Sequence, residues 1–393
     1  MNMTKKHKVL ILSGDLGDGH KQAARAILET SQLYRPDVDA TIVDFMEWTH
    51  PHLHSLGRFC YIQWVKNFPS VYGYLFQKTR GDNSFSHLFK KIKLFALHRM
   101  VQLLEEVQPT VVVSTFPSAA AAMSILKSQG LTDVPTVTVI TDHTDHSYWI
   151  HPYTDQYLVG SEHVRNALIA RHVPASRISA TGIPIRPQFS QTFDRDELRS
   201  KHGLKRSRPV VLIMGGGLGM ISRTFIRLLQ SDPRLEPMQF IIVCGRNDKL
   251  REKLTNELKD GKHRFIVTGF VDHVHELMAL SDLIITKPGG LTTSEAIALD
   301  LPMLLYKPLP GQEQDNAAFL VSAGVALQAF DEPDLFEKLT RVFQNPQILT
   351  TIKSRTKQIQ TKTATFQALR TIVKTKTVVP VPRSVGRAVY AEA

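Results

Sequence analysis

The run ILSGDLGDGH, Ile11 to His20, sets three glycines, two aspartates and a histidine directly behind the apolar residues Val9 to Leu12. Histidine titrates near neutrality, so one placed at the mouth of such a loop can give or take a proton. Two further glycine-rich runs carry a different chemistry. MGGGLG contains Gly215, Gly216, Gly217 and Gly219, and TKPGGLTTSEA contains Gly289, Gly290, Leu291 and Thr292. Glycine lets backbone N–H groups approach a phosphate closely, and a helix start adds partial positive charge. MGGGLG lacks the Lys-Ser/Thr pair of a Walker loop and the full dinucleotide spacing. The N–H groups of Gly290 to Thr292 suit a diphosphate. Glu295, one turn on, suits the two hydroxyls of a ribose, although a helix start favours an acid there in any case. KPLPGQEQDNA then supplies Gln312, Glu313 and Asn316. Their paired donors and acceptors suit sugar hydroxyls, although a helix N-terminus is polar too. Two phosphate-sized loops, a ribose acceptor and a hydroxyl-binding cluster together describe a nucleotide-sugar site.

A fourth cluster, TDHTDH, carries Asp142, His143, Asp145 and His146. It could ligate a metal, but the spacing matches no standard zinc signature. It follows a strand as a loop would, which favours a structural or acceptor-site role. His50, His52 and His54 read as an exposed loop and carry no assignment.

These loops need strands and helices to hold them. VLIL (Val9–Leu12) reads as a strand covered on both faces, and HKQAARAILE follows with Ala23, Ala24, Ile27 and Leu28 at helical spacing. Ala40–Phe45, Thr110–Thr115, Thr136–Thr141 and Gln156–Ser161 are strand-like, with helical stretches between most of them. Pro187 to Pro209 breaks the pattern and reads as an interdomain region. A second alternation follows through VVLIM, QFIIVCG, RFIVTGF, LIITKPGG and PMLLYKP. Two βα runs imply two doubly wound α/β domains with parallel sheets, assigned to residues 1–195 and 205–372. Residues 373–393 read as a basic, irregular tail. Ligands bind at the carboxyl ends of such strands.

The chain has 393 residues, 42% of them hydrophobic, enough for a large buried core. Its two cysteines, Cys60 and Cys244, give neither a disulfide framework nor a zinc spacing, which suits a reducing cytoplasm. No signal peptide and no membrane-spanning run is visible. The net charge of +12 calls for an anionic partner.

Residues Arg58 to Arg99 interleave ten aromatics with eight basic residues and a single acid, Asp82. Rings at headgroup depth and cations facing anionic lipid suit a bilayer interface. Trp64, Phe68, Tyr72, Lys78, Arg80, Phe89, Lys90 and Lys91 are the expected membrane contacts. Between Ser86 and Met100, Leu88, Phe89, Ile92, Phe95 and Ala96 share one helical face, with Lys90, Lys91 and Lys93 largely opposite. Leu94, Leu97 and Arg99 break that pattern, and some of these aromatics must also serve the core. Stacking on single-stranded nucleic acid is the weaker reading, because no recognised module accompanies it.

GDLGDGH, TFP (Thr115–Pro117), TDHTDHSYW, TGIPIRPQF, VCGRN, GFVDHVHEL, DLIITKPGGLTTSEA and YKPLPGQEQDNA run in order to about residue 320. In these motifs the chain resembles the processive diacylglycerol glycosyltransferases of Gram-positive bacteria and the plant monogalactosyldiacylglycerol synthases, of glycosyltransferase family 28. The resemblance implies a GT-B fold, two Rossmann-like domains facing a central cleft, with the sugar nucleotide in the second domain and the lipid acceptor in the first. It implies inversion at the sugar carbon, no divalent metal at the diphosphate and no cofactor, the UDP-sugar being a co-substrate. It places His20 at the acceptor hydroxyl in a loop shaped by Gly17 and Gly19. It gives the uracil to the backbone of Phe270 and Val271, the diphosphate to Gly290–Thr292, the ribose to Glu295 and the sugar to Gln312, Glu313 and Asn316. The loop Gly215–Gly219 matches the family less tightly. Inverting transfer needs a base, and both His20 and Asp142 qualify. The expectation is a peripheral enzyme at the cytoplasmic face of the cell membrane that moves glucose from UDP-glucose onto diacylglycerol. Its partners would be a UDP-hexose, diacylglycerol and an anionic phospholipid surface, with no nucleic acid. A galactosyl donor, a prenyl-diphosphate-linked acceptor, or a binding protein without transferase activity remain as alternatives.

Overall fold

Strands in the first half are continuous apolar runs because helices cover both faces of their sheet. In β1 (His7–Ser13), Val9 and Ile11 pack with Ala24 and Ile27 on one side. Leu10 and Leu12 pack with Met100, Phe116 and Met123 on the other. The computed structural model describes residues 6–15, 18–51, 68–80, 94–215, 223–231, 233–258, 261–359 and 362–381. It divides into two units, residues 1–187 with 363–393, and residues 188–362.

The first unit holds β1, β2 (Val38–Asp44), β3 (Val111–Ser114), β4 (Thr136–Val139), β5 (Gln156–Leu158) and β6 (Ile178–Ser179). They form one parallel sheet in the order β2-β1-β3-β4-β5-β6. The second unit holds β7 (Val210–Met214), β8 (Gln239–Val243), β9 (Arg264–Thr268), β10 (Leu283–Thr286), β11 (Met303–Tyr306) and β12 (Ala326–Ala329). These are also all parallel, in the order β12-β11-β10-β7-β8-β9. Counted from β7, that is the doubly wound order 3-2-1-4-5-6. Strand order reverses between β1 and β3 in one sheet and between β7 and β10 in the other. Such switch points open a crevice above the carboxyl ends of the two strands.

The domain limits read from the sequence need two adjustments. Residues 188–195 go with the second unit. There Arg195 and Arg199, from the first and last turns of the helix Arg195–Lys201, both bind the Asp282 carboxylate, which also accepts from the Val210 N–H. The larger adjustment is the helix Ala364–Lys374, expected in the second domain. Its Ala368, Leu369 and Ile372 join the Val9 and Ile11 face of the first sheet. Thr365 exchanges hydrogen bonds with the backbone of Ile185. An amphipathic helix shows that it packs, but not on which sheet. The edge strands β6 and β12 were also missed: one has two residues, and the other, Ala-Leu-Gln-Ala, lacks β-branched side chains.

Asp155 ties the rear of the first unit together. One oxygen holds the fully buried Lys127 ammonium and the Thr136 N–H, and the other accepts from Val378 and Val379 N–H, at 2.9 and 3.2 Å. Asp155→Ala would leave Lys127 buried without its counter-charge, which costs about 3–5 kcal/mol. All three tryptophans, Trp48, Trp64 and Trp149, lie in the first unit, so their fluorescence reports its unfolding selectively. A urea titration followed that way should show a loss of this size. A change below about 1 kcal/mol, the scale of a surface pair, would contradict the assignment.

Candidate functional site

At the switch point of the first unit, the loops that follow β1 and β3 pack against each other. Gly14 leaves β1 under the Phe116 ring, whose Cγ lies 2.7 Å from where a Cβ on Gly14 would stand. The Thr115 hydroxyl donates to the His20 carbonyl at 3.1 Å. Gly19 and His20 fall in the first turn of the helix Asp18–Tyr34, and Asp18 favours the positive end of its dipole. Gly17 lies outside the described residues.

The His20 ring meets Phe116 and Trp149 edge-on, at centroid distances of 5.4 and 5.9 Å. Its Nδ1 is 3.1 Å from Thr141 Oγ1, on the loop after β4. Burial lowers its pKa from 6.5 to about 4, so the imidazole is neutral at physiological pH. In the tautomer that donates Nδ1–H to Thr141, Nε2 carries the lone pair, as a general base requires. Asp142, the rival base, follows Thr141 on the same loop and is partly buried.

The rest of TDHTDH serves structure. Asp145 is clamped by Arg80 Nη1 at 2.6 Å and Arg171 Nε at 2.7 Å. His146 Nε2 bonds the Phe76 carbonyl at 2.8 Å, and its Nδ1 accepts from the Tyr148 N–H. His143 is buried with its ring against Gly160, and burial lowers its pKa to about 3. Arg80, expected at a membrane, is therefore corrected: its charge is engaged by Asp145.

The second unit gathers the expected nucleotide-sugar residues at the carboxyl end of one sheet. Gly215 follows β7 and is buried, whereas Gly216, Gly217 and Gly219 lie outside the described residues. Across the switch point, β10 runs into Lys287-Pro288-Gly289 and the helix Gly290–Ala298. A Cβ on Gly289 would meet nothing within 4 Å, so the helix start faces open space. Thr293 and Ser294 bond back to the Gly289 and Gly290 carbonyls. The donors at this end are then the first-turn N–H groups of Gly290, Leu291 and Thr292. Glu295 is 8% exposed, one turn in.

Gln312 and Glu313 begin the helix Gln312–Ser322 behind Gly311, whose φ of 103° requires glycine. Glu313 Oε2 accepts from the Leu309 N–H at 2.6 Å. Burial raises the Glu313 pKa, opposed by the Lys287 charge. Asn316 is corrected: it is 0% exposed and its amide donates to the Pro288 carbonyl at 2.9 Å. It fixes the Pro288–Gly290 loop and does not face open space. At the end of β9, Phe270 is 52% exposed with the Arg246 guanidinium 5.3 Å from its ring centre, and Val271 follows, partly buried. Sequence reasoning quoted Lys287 and Arg246 within motifs but gave them no role. The available signal was position, each standing just beyond a strand end.

Of the expected membrane contacts, Phe68 is 58% exposed. It caps the helix Pro69–Lys78, on which Tyr74 and Lys78 are exposed and Lys78 lies over the Tyr74 ring. Val71 joins this face, so Phe68, Val71, Tyr74 and Lys78 recur at helical spacing. Tyr72 lies in the same helix. Trp64, Phe89, Lys90 and Lys91 lie outside the described residues. Leu97 and Met100, in the helix Leu94–Val107, pack into the core.

Comparison with known proteins bears on the family and the fold. Residues 20–185 match the family described as monogalactosyldiacylglycerol (MGDG) synthase, and residues 210–369 the glycosyltransferase family 28 C-terminal domain. A processive diacylglycerol beta-glucosyltransferase of Bacillus cytotoxicus is 32% identical over 353 residues, 89% of each chain. Among solved structures, Acinetobacter baumannii MurG superposes with a TM-score of 0.61 at 17% identity, covering 94% of this chain and 99% of its own. Anabaena HepE in complex with UDP-glucose gives 0.55 at 16% identity, covering 93% and 99%. The fold is thus GT-B, with two Rossmann-like units.

His20, His143 and His146 all have pKa values lowered by burial. Below about pH 6.5 the unfolded chain therefore binds protons that the native first unit refuses, so stability falls as pH drops toward about 4. Above that window these groups contribute no slope. Urea midpoints read by tryptophan fluorescence should decline steadily from pH 7 to pH 5, and less steeply in His146→Asn. Equal slopes in the two proteins would contradict the assignment.

Proposed function

The chain belongs to the diacylglycerol glycosyltransferases of glycosyltransferase family 28, and from that premise we propose that it transfers glucose from UDP-glucose to diacylglycerol at a membrane surface, with inversion. The observation that carries the proposal is the neutral, anchored imidazole of His20 at the switch point of the first unit. Glucose is favoured as donor by the name of the Bacillus relative.

In this reading the second unit holds the donor. The uracil lies by Phe270 and Val271, the ribose hydroxyls on Glu295, and the glucose hydroxyls on Gln312 and Glu313. The diphosphate sits at the N–H groups of Gly290 to Thr292. His20 Nε2 takes the proton of the diacylglycerol hydroxyl as its oxygen bonds to the sugar carbon. The bond from that carbon to the UDP oxygen breaks from the opposite face. The leaving diphosphate gains charge, which the helix start and the nearby Lys287 ammonium stabilise without a divalent metal.

Diacylglycerol resides in a bilayer, so the enzyme must reach it there. Among the described residues no helix is long and apolar enough to cross a membrane. The exposed stripe Phe68, Val71 and Tyr74, ending in Lys78, supports peripheral docking. A chain with two cysteines and no disulfide framework fits the cytoplasmic face.

Product analysis tests the proposal. Purified protein is incubated with diacylglycerol in anionic vesicles, with UDP-glucose and UDP-galactose offered separately. A glucolipid should form from UDP-glucose, and His20→Ala should lower kcat by about 10²–10⁴. EDTA should leave the rate within about twofold, because backbone N–H groups and Lys287 face the diphosphate. No glycolipid from either donor, with UDP binding intact, would overturn the acceptor assignment.

A further inference from the structure

The second unit exposes an aromatic ring that the transfer reaction does not use. Phe330 follows β12 and is 77% exposed, more than any other large hydrophobic side chain among the described residues. Its position is nonetheless fixed. Its N–H donates to Asp334 Oδ2 at 3.0 Å, in the first turn of the helix Glu332–Gln344. Lys338, on the same helix, binds the Asp334 carboxylate and places its Nζ 5.6 Å from the ring centre. Leaving a ring so placed in water forgoes the gain from burying it, which a ligand laid against it would recover.

Strand spacing identifies that ligand. β10, β11 and β12 are successive parallel neighbours, with Ile285 beside Leu304 and Tyr306 beside Ala329. Their loops therefore leave the same edge of the sheet in steps of about 4.8 Å, close to the width of one sugar ring. The loop proposed for the diphosphate follows β10, the loop proposed for the donor glucose follows β11, and Phe330 stands beyond β12. A second sugar, one ring further from the diphosphate, falls at Phe330. Polar groups flank the place. Lys307 leaves β11 with a φ of 48°, the left-handed region for a residue other than glycine, and strain of that kind gathers at ligand sites. Its Nζ lies 3.5 Å from Glu332 Oε1. An ammonium beside a carboxylate offers a donor and an acceptor to adjoining hydroxyls, and an aromatic face suits the C–H face of a hexose.

We propose that Phe330 is the platform for the sugar of an acceptor that already carries one, so that the second unit recognises a glycosylated lipid as well as the donor. The inference rests on the transfer proposed above and extends its acceptor. In the second round a hydroxyl oxygen of the stacked sugar forms the bond to the donor's sugar carbon. The bond from that carbon to the UDP oxygen breaks, UDP leaves with its electron pair, and the hydroxyl proton passes to the base that served the first round. Diacylglycerol has no sugar to stack, so the first round does not depend on Phe330.

Two acceptors, diacylglycerol and glucosyldiacylglycerol, offered separately in vesicles with UDP-glucose to the full chain, test it. Phe330→Ala should lower kcat/KM for glucosyldiacylglycerol about fivefold or more and leave that for diacylglycerol within about twofold. Phe330→Tyr should keep both activities. Phe330→Leu, apolar without an aromatic face, should behave as the alanine variant. An unchanged ratio of the two activities in Phe330→Ala, or full activity in Phe330→Leu, would overturn the platform. A parallel loss of vesicle binding would also overturn it and mark a bilayer contact instead. So would failure of the unaltered chain to use glucosyldiacylglycerol while it glycosylates diacylglycerol. Absence of product from both acceptors would count against the proposed transfer, and binding would then decide the site by itself. The dissociation constant for octyl glucoside, measured by calorimetry below its micelle concentration, should rise about fivefold in Phe330→Ala, and no rise would overturn the inference.

Discussion

The contact between Gly14 and the Phe116 ring governs the chemistry of the first unit. β1 and β3 are parallel neighbours in register, Val9 beside Val111 and Leu12 beside Ser114, so their loops leave the sheet side by side. The two loops can close only because Gly14 has no side chain where the ring lies. Closure brings the Thr115 hydroxyl to the His20 carbonyl and the Phe116 ring onto the imidazole. The ring loses water on that side, and its protonated form loses solvation with it. Neutrality at physiological pH thus follows from backbone packing between the loops of neighbouring strands. The same desolvation makes the imidazole a weaker base than a free one, so this site favours a correct protonation state over raw basicity.

The second unit repeats the same geometry at its own switch point. Its switch point lies between β7 and β10, and the helix that leaves β10 presents N–H groups to open space at Gly289. Asn316, from the neighbouring helix, holds the Pro288 carbonyl and so fixes the loop in advance of any ligand. Lys287 and Glu313 sit close enough to shift each other: burial disfavours both charges, and each charge favours the other. A preset helix start and a lysine already desolvated would need little reorganisation to meet a negative charge.

Most of the sheet architecture was legible because strands covered on both faces leave continuous apolar runs in the sequence. What failed was information that resides in tertiary partners. Helix Ala364–Lys374 is amphipathic by pattern, yet only the packed structure assigns it to the Val9 and Ile11 face. The turns at Gly14, Gly289 and Gly290 were legible because glycine reports backbone geometry directly, whereas Gly17, Gly216, Gly217 and Gly219 lie outside the described residues. Asn316 misled because a polar residue in a motif looks like a ligand contact, and Arg80 because a cation among aromatics looks like a membrane contact. Burial in one case, and the carboxylate of Asp145 in the other, had already engaged them.

TDHTDHSYW shows how one short run can serve two ends of a domain. Its outer residues, Thr141 and Trp149, hold the His20 ring by a hydrogen bond and an edge contact. Its inner residues, Asp145, His146 and Ser147, hold Arg80, Phe76 and Thr79 at the end of the helix that exposes Phe68 and Tyr74. The histidines and aspartates that suggest metal chemistry by composition are therefore the struts of a bridge. A buried histidine in tilted contact with both Phe76 and Tyr148, and a carboxylate clamped by two arginines, fix that bridge. The side chain that orients the imidazole thus shares its loop with the residues that anchor the exposed apolar stripe.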